Sequence, residues 1–170
     1  YADVTPWAFG GSLTVEAYVK QGDSLSYGGR VLQFAGGGTV NVQAGSGSPE
    51  DIIFELSSGS ITCSDIFSIN TWSHIVATST YLTESSSMNK IYVNGNAACA
   101  SGTLGSAIET VTRTQHYIGN TGPENRALEG TIAYVRLWHG MALSASQVAE
   151  LYAERIEPTP APTGTVAPTP

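Results

Sequence analysis

The sequence is poor in charge. Asp, Glu, Lys and Arg make up 12% of its 170 residues, about half the ~25% usual for soluble domains. Positive charge is scarcest, with 7 Lys and Arg against 14 Asp and Glu and a net charge of −7. That balance argues against nucleic acid as a partner, because phosphate backbones are held by a basic patch. No apolar run reaches the ~18 residues of a membrane span. Cysteine is nearly missing, with 2 in the chain, Cys63 and Cys99. Their spacing has no C-x-x-C feature for zinc or redox work. From the sequence they are either free buried thiols, as in a cytosolic protein, or partners in a bridge, as in a secreted one. There is no Asn-x-Ser/Thr sequon, so N-glycosylation is not expected. Tyr1 is not an initiator Met and no signal peptide precedes it, so a mature or excised fragment is expected.

What is present is a long series of short apolar stretches set among Ser, Thr, Gly and Asn. Hydrophobic residues are 41% of the chain, enough for one domain with a large core. SLTVEAYVK (12–20) alternates, with Leu13, Val15, Ala17 and Val19 on one face and Thr14, Glu16, Tyr18 and Lys20 on the other. RVLQFA (30–35), TVNVQA (39–44), DIIFELS (51–57) and SITC (60–63) follow, each bounded by Gly or Ser. WSHIVATST (72–80), NKIYV (89–93), AACAS (97–101), QHYIG (115–119) and GTIAYVRLW (130–138) complete the set. NKIYV and AACAS flank Asn94-Gly95, which suits a tight hairpin because both residues tolerate positive φ. Trp7, Trp72 and Trp138 fall inside these patterns and read as core. Strands at this spacing predict an antiparallel β-sandwich.

One helix stands out, LSASQVAELYAER, expected over 144–154. Ser144 and Gln147 have the spacing of a capping box, and Val148, Leu151 and Tyr152 share the face that would dock on the sandwich. Beyond it the chain becomes IEPTPAPTGTVAPTP. Proline fixes φ and removes backbone donors, so this segment favours extended polyproline II and reads as a spacer. The expected division is a domain at 1–156 and a Pro/Thr-rich linker at 157–170 that tethers other domains. Thr159, Thr163, Thr165 and Thr169 suit O-glycosylation by composition.

Catalytic patterns are missing. His74, His116 and His139 lack the His-Glu-x-x-His spacing that places zinc ligands on one helix face, and no Gly-x-Ser-x-Gly elbow occurs. Glu16 has no acidic neighbour two or four residues on, as a glucanase carboxylate pair would need. No enzyme is expected.

Three blocks, in order, carry a family resemblance. SLTVEAYVK resembles the opening strand of laminin-G-like domains. WSHIVATST with KIYVNG is similar to their paired central strands. YIGNTGPENRALEGTIAYVRLWHGMALSASQVAELY (117–152) resembles the pentraxin ending of strand, polar loop, strand and short helix. The resemblance is to laminin-G-like and pentraxin-like domains of the concanavalin A-like lectin/glucanase superfamily. It implies an all-β antiparallel jelly-roll sandwich with one short C-terminal helix. It also implies an extracellular setting and a lectin-like, carbohydrate-binding role, or else adhesion to another extracellular protein. In such a fold the strands leading to Cys63 and Cys99 lie close, so a disulfide between them is implied.

Pentraxins hold calcium with oxygens from two loops. Carried over, these are the loop before DIIFEL, with Glu50 and Asp51, and the loop after YIGN, with Asn120, Glu124 and Asn125. The implied metal set is Glu50, Asp51, Asn120 and Glu124. Hard cations need six to eight oxygens, and Asn120-Thr121-Gly122-Pro123 departs from the family's tighter acidic run, which thins that set. For a sugar, an aromatic face would stack on the pyranose while planar polar groups orient its hydroxyls. Tyr27, Tyr81 and Asn125 are the candidates.

Overall fold

A computed structural model describes residues 2–3, 5–22, 28–44, 48, 50–65, 67–120 and 126–158. Thirteen strands occur among them: β1 (Ala2–Asp3), β2 (Trp7–Phe9), β3 (Leu13–Gln21), β4 (Gly29–Ala35), β5 (Val40–Ala44), β6 (Ile52–Leu56), β7 (Gly59–Cys63), β8 (Trp72–Thr83), β9 (Ser86–Val93), β10 (Ala100–Leu104), β11 (Val111–Arg113), β12 (Gln115–Ile118) and β13 (Gly130–His139). One helix follows, α1 (Ala145–Ala153). The strands form a six-stranded sheet ordered β1-β12-β4-β5-β6-β7 and a five-stranded sheet ordered β10-β9-β8-β3-β13, with β2 and β11 paired beside them. All strand pairings are antiparallel. The protein is an antiparallel β-sandwich.

Alternation fixes which face turns inward. From the five-stranded sheet, Leu13, Val15, Ala17, Val19, Ile75, Ala77, Ile91 and Val93 enter one core; from the six-stranded sheet, Leu32, Phe34, Val40, Val42, Ile52, Phe54 and Leu56 meet them. Each buried Val, Leu, Ile or Phe among them contributes about 1.5–3 kcal/mol by leaving water. A one-residue slip would turn the whole apolar set outward, so the register is strongly specified.

α1 covers part of the outer face of the five-stranded sheet. Ser144 caps the helix, accepting from the Gln147 backbone N–H, while the Gln147 side chain accepts from the Ser144 N–H. Val148 is fully buried against Val76, Tyr92 and Leu143, with Trp138 and Leu151 packed around them. Tyr152 lies over His74, ring centroids 5.6 Å apart. The chain stays attached past the helix, since Tyr18 Oη donates to Glu157 Oε2 at 2.7 Å.

Several local expectations needed correction. β8 and β9 continue to Thr83 and back from Ser86, beyond the expected bounds of 72–80 and 89–93, because backbone pairing is indifferent to polar side chains at an exposed hairpin tip. Asn94 and Gly95 do take positive φ, 52° and 71°, yet the connection is longer than a two-residue hairpin. Ile91 pairs with Ala100, and residues 97–99 are not strand. Ala98 is drawn into the cluster under α1. Trp72 is not in the core. It stands half-buried, stacked on Tyr18 at 5.1 Å, a position paired with His74 across β3 and β8. β2 and β11 were not expected. Cys63 and Cys99 are joined, Cα atoms 5.7 Å apart, which ties the β7 edge of one sheet to the segment leading into β10, at the edge of the other.

Candidate functional site

Each sheet of a sandwich has two faces, and here both inner faces are core. Part of the outer face of the five-stranded sheet lies under α1. Among the described residues no helix covers the outer face of the six-stranded sheet, which is built mostly from polar side chains.

Its residues follow from the register. Tyr117 pairs with Gln33, Gln33 with Asn41, Asn41 with Glu55 and Glu55 with Ser60, giving one row across five strands. Strands lie about 4.8 Å apart, so that row is roughly 19 Å long. A second row runs Arg30, Gln43, Ile53, Thr62. Alternation produces both rows, because these residues stand between the core positions Leu32, Phe34, Val40, Val42 and Phe54. A bulge between Arg30 and Leu32 brings Arg30 onto the polar side.

The floor of this field is desolvated. Asn41, Gln43 and Arg30 are 0%, 8% and 5% exposed, while Gln33, Glu55, Tyr117 and Arg126 are half-exposed. Asn41 Nδ2 donates to Glu55 Oε2 at 2.7 Å, and the same oxygen lies 4.0 Å from Arg30 Nη2. Asn41 Oδ1 and Gln43 Oε1 are buried without a hydrogen-bond partner among the described residues. A buried acceptor left unmet costs about 1–3 kcal/mol, and such atoms are normally explained by water or a ligand.

The expected metal residues lie on the rim of this field. Asp51 precedes β6 and Asn120 follows β12, at the same end of the sheet, but β4 and β5 stand between their strands. Three strand spacings separate the two strands by roughly 14 Å, more than one ion spans with ligands at about 2.3–2.6 Å. Asp51 Oδ1 accepts from the Asp65 N–H at 3.3 Å. The Glu50 carbonyl accepts from the Phe67 N–H at 2.9 Å. Among the described residues no group of three or more His, Cys, Asp or Glu side chains is placed to hold a metal ion. Glu124, Asn125 and Tyr27 lie outside the described residues. The described oxygens alone do not make a calcium site.

Tyr81 lies elsewhere. It is 45% exposed near the far end of β8, roughly 30 Å along the strand from Trp72, in a groove lined by Gly11, Glu84 and Glu109. It shares no site with Asp51 and Asn120. The polar rows were not singled out from the sequence, although Gln33, Asn41, Gln43 and Glu55 are the polar positions inside otherwise apolar strands. That was the signal.

The ionisable cluster on the same face as α1 is centred on a buried carboxylate. Glu16 is 0% exposed; its Oε1 lies 2.9 Å from His74 Nε2 and accepts from Tyr134 Oη at 3.0 Å, while Oε2 accepts from Arg136 Nη1 at 3.4 Å. Burial, then the bond to Glu16, pushes the Tyr134 hydroxyl well above the ordinary tyrosine range. With one carboxylate beneath a helix, the cluster ties β3, β8 and β13 together.

Known proteins agree with this architecture. A family model for the concanavalin A-like lectin/glucanases superfamily, of laminin-G type, matches residues 1–149. No curated protein matches the chain in sequence. Among solved structures, domain 4 of AbnA, an extracellular GH43 arabinanase from Geobacillus stearothermophilus in complex with arabinotriose, superposes with a TM-score of 0.67 at 19% identity, over 88% of this chain and 71% of that one. The native heptameric SAP-like pentraxin from Limulus polyphemus gives 0.62 at 17%, over 88% and 73%. The CBM40 of the Ruminococcus gnavus IT-sialidase, bound to α2,3 sialyllactose, gives 0.63 at 9%, over 89% and 95%. At such identities these likenesses establish the fold alone. The chain belongs to the laminin-G-like family of the concanavalin A-like lectin/glucanases superfamily.

Proposed function

We propose that this domain is a non-catalytic glycan-binding module of an extracellular protein, working through the outer face of its six-stranded sheet. One observation carries the reading. Of the two outer faces, one is partly covered by α1, and the other bears two rows made mostly of amide, carboxylate, guanidinium, hydroxyl and phenol groups with unmet acceptors in its floor. Planar polar groups on a rigid sheet suit an extended, hydroxyl-rich ligand, because the sheet fixes each donor and acceptor before binding. Tyr117 at one end of its row supplies an aromatic surface.

The related arabinanase domain and CBM40 support the reading, since both are solved with sugars bound. The disulfide favours an oxidising, extracellular setting. The Pro/Thr segment then serves as a tether to other domains of the same protein. Calcium belongs to this proposal at the Glu50–Asp51 part of the rim, where Glu124 and backbone carbonyls would have to join those two residues without Asn120, with affinity in the ~10⁻⁴–10⁻³ M range of extracellular modules.

A glycan array tests the proposal. The domain is expected to give discrete glycan signals that disappear in a Gln33→Ala, Tyr117→Ala double variant with unchanged circular dichroism. Running it with and without chelator shows whether calcium at the rim contributes. A blank array together with a defined protein partner would make this an adhesion or architectural domain instead.

A further inference from the structure

We propose that the end of the sandwich far from Asp51 and Asn120 holds a second sugar subsite. In it Tyr81 stacks on one neutral sugar residue, and Glu84 and Glu109 accept from its hydroxyls. The ligand class rests on the glycan-binding reading, while the surface is separate from the polar face.

Tyr81 is out of place for a core residue. Ile75 and Ala77 of β8 face the core, and Tyr81 keeps their parity along the strand. It lies beyond Ser79, however, whose partner Leu13 is the last pairing of β8 with β3 at this end. Tyr81 is 45% exposed. Among the described residues its ring meets no other ring and its hydroxyl has no hydrogen bond. The register of β8 against β9 shifts between Tyr81 and Thr83, and such bulges re-aim side chains at sheet ends and beside binding sites.

The backbone around it is held in place. The Tyr81 N–H donates to Ser12 Oγ at 3.0 Å. The Gly11 N–H donates to the Ile108 carbonyl at 2.7 Å, and the Ala107 N–H to the Glu84 carbonyl at 3.3 Å. These bonds join three segments around one groove of about 390 Å³, within the ~300–1,000 Å³ of small-molecule sites. Its apolar part is Ala107 and Ile108, both buried. Gly11, at φ +70°, has open space where a Cβ would stand, a conformation that favours glycine, so no side chain fills the groove from there.

The polar groups of the groove are acceptors. Glu84 and Glu109 are exposed, line it together with Tyr81, and have no carboxylate hydrogen bond or ion pair among the described residues. No Lys or Arg is among the lining residues. Arg113 donates to the Glu109 backbone carbonyl but lines a different hollow, with Gly38 and Ser57. An aromatic face matches the C–H face of a pyranose, and carboxylates take hydroxyl protons in short, charge-assisted bonds. Two carboxylates without a cation repel an acidic sugar, which leaves the neutral class.

One sugar residue in one groove binds too weakly to survive the washing of an array, so the polar face governs the array signal and the groove is read in solution. The ¹⁵N-labelled intact domain is titrated with millimolar arabinotriose, xylotriose and maltotriose, and with trigalacturonate as the acidic control. At least one neutral probe is expected to shift the Gly11, Glu84 and Thr110 amides saturably, with trigalacturonate leaving them in place. The same shifts are expected in the Gln33→Ala, Tyr117→Ala variant. Tyr81→Ala, with unchanged circular dichroism, is expected to weaken this binding at least tenfold, whereas Tyr81→Phe keeps the ring face and the affinity. Shifts confined to the amides of the polar face, or groove shifts that Tyr81→Ala leaves unchanged, overturn the second subsite and leave the glycan reading standing. Groove shifts with pentalysine and none with any sugar overturn the ligand class, the groove then docking a basic peptide. If no sugar shifts any amide and the array is blank, both readings fall.

Discussion

Removing the Cys63–Cys99 bridge gives the most direct test of how the two sheets are held together. The bond spans 36 residues. On the loop-entropy model a closure of that length restricts the unfolded chain by about 4 kcal/mol at 25 °C. For a domain of this size 1 kcal/mol shifts Tm by about 2–4 °C, so Cys63→Ser with Cys99→Ser is expected to melt roughly 8–16 °C lower. Placement adds to this. Cys63 is buried at 2% exposure at the edge of the six-stranded sheet, and Cys99 is anchored by its N–H to the Ile91 carbonyl at 2.9 Å. Sheet edges are where pairing ends, so the bridge clips the sandwich where backbone bonds do not. The assay is a thermal melt of wild type with and without reductant, beside the double serine variant. Because Cys99 is exposed, reductant should reach the bond and reproduce the variant's loss. A Tm change below about 2 °C in both experiments would refute the reasoning.

Glu16→Ala strips a buried carboxylate from His74, Tyr134 and Arg136 and is expected to cost about 3–5 kcal/mol, read by denaturant titration; a loss below ~1 kcal/mol would mean the cluster is not holding the strands together. Burial raises the Tyr134 and Tyr92 hydroxyls, and burial with the Glu157 contact raises that of Tyr18. Each is neutral in both states below the ordinary tyrosine value near 10, and above it the unfolded chain ionises first, so their stabilisation is full below about pH 10 and is lost as pH climbs toward the raised values. A Tm that does not fall between pH 9.5 and 11.5, or a Tyr134→Phe variant that falls as steeply as wild type, would contradict this. Asp51→Ala with Glu124→Ala is expected to abolish a rise in Tm at millimolar calcium; a full shift in the double variant, or none in wild type, sinks the rim site.

The sequence by itself determined whatever depends on near neighbours along the chain. Alternation in residues 12–20 set which side of β3 faces the core, because successive side chains in a strand point to opposite faces. The Ser144–Gln147 spacing set where α1 begins, because a cap is closed within four residues. Asn94 and Gly95 showed where the chain turns, but not the strand pairing that follows, since the bond of Cys99 and the packing of Ala98 set that from outside. The paired cysteines became legible once the three blocks suggested a fold in which their strands meet.

The tertiary structure decided what depends on residues far apart in sequence. Asp51 and Asn120 do leave the same end of one sheet, but the strand order puts two strands between theirs. Tyr81 looks like a binding residue in the sequence and lies near the opposite end of the sandwich. Tyr117, Gln33, Asn41 and Glu55 form one row only because β12, β4, β5 and β6 lie in that order with that register. Their polarity was visible in the chain, and their meeting on one face was not. Which outer face α1 packs on was decided when Val148 found its apolar partners Val76, Tyr92 and Leu143, since an amphipathic helix buries its apolar side where apolar surface awaits it.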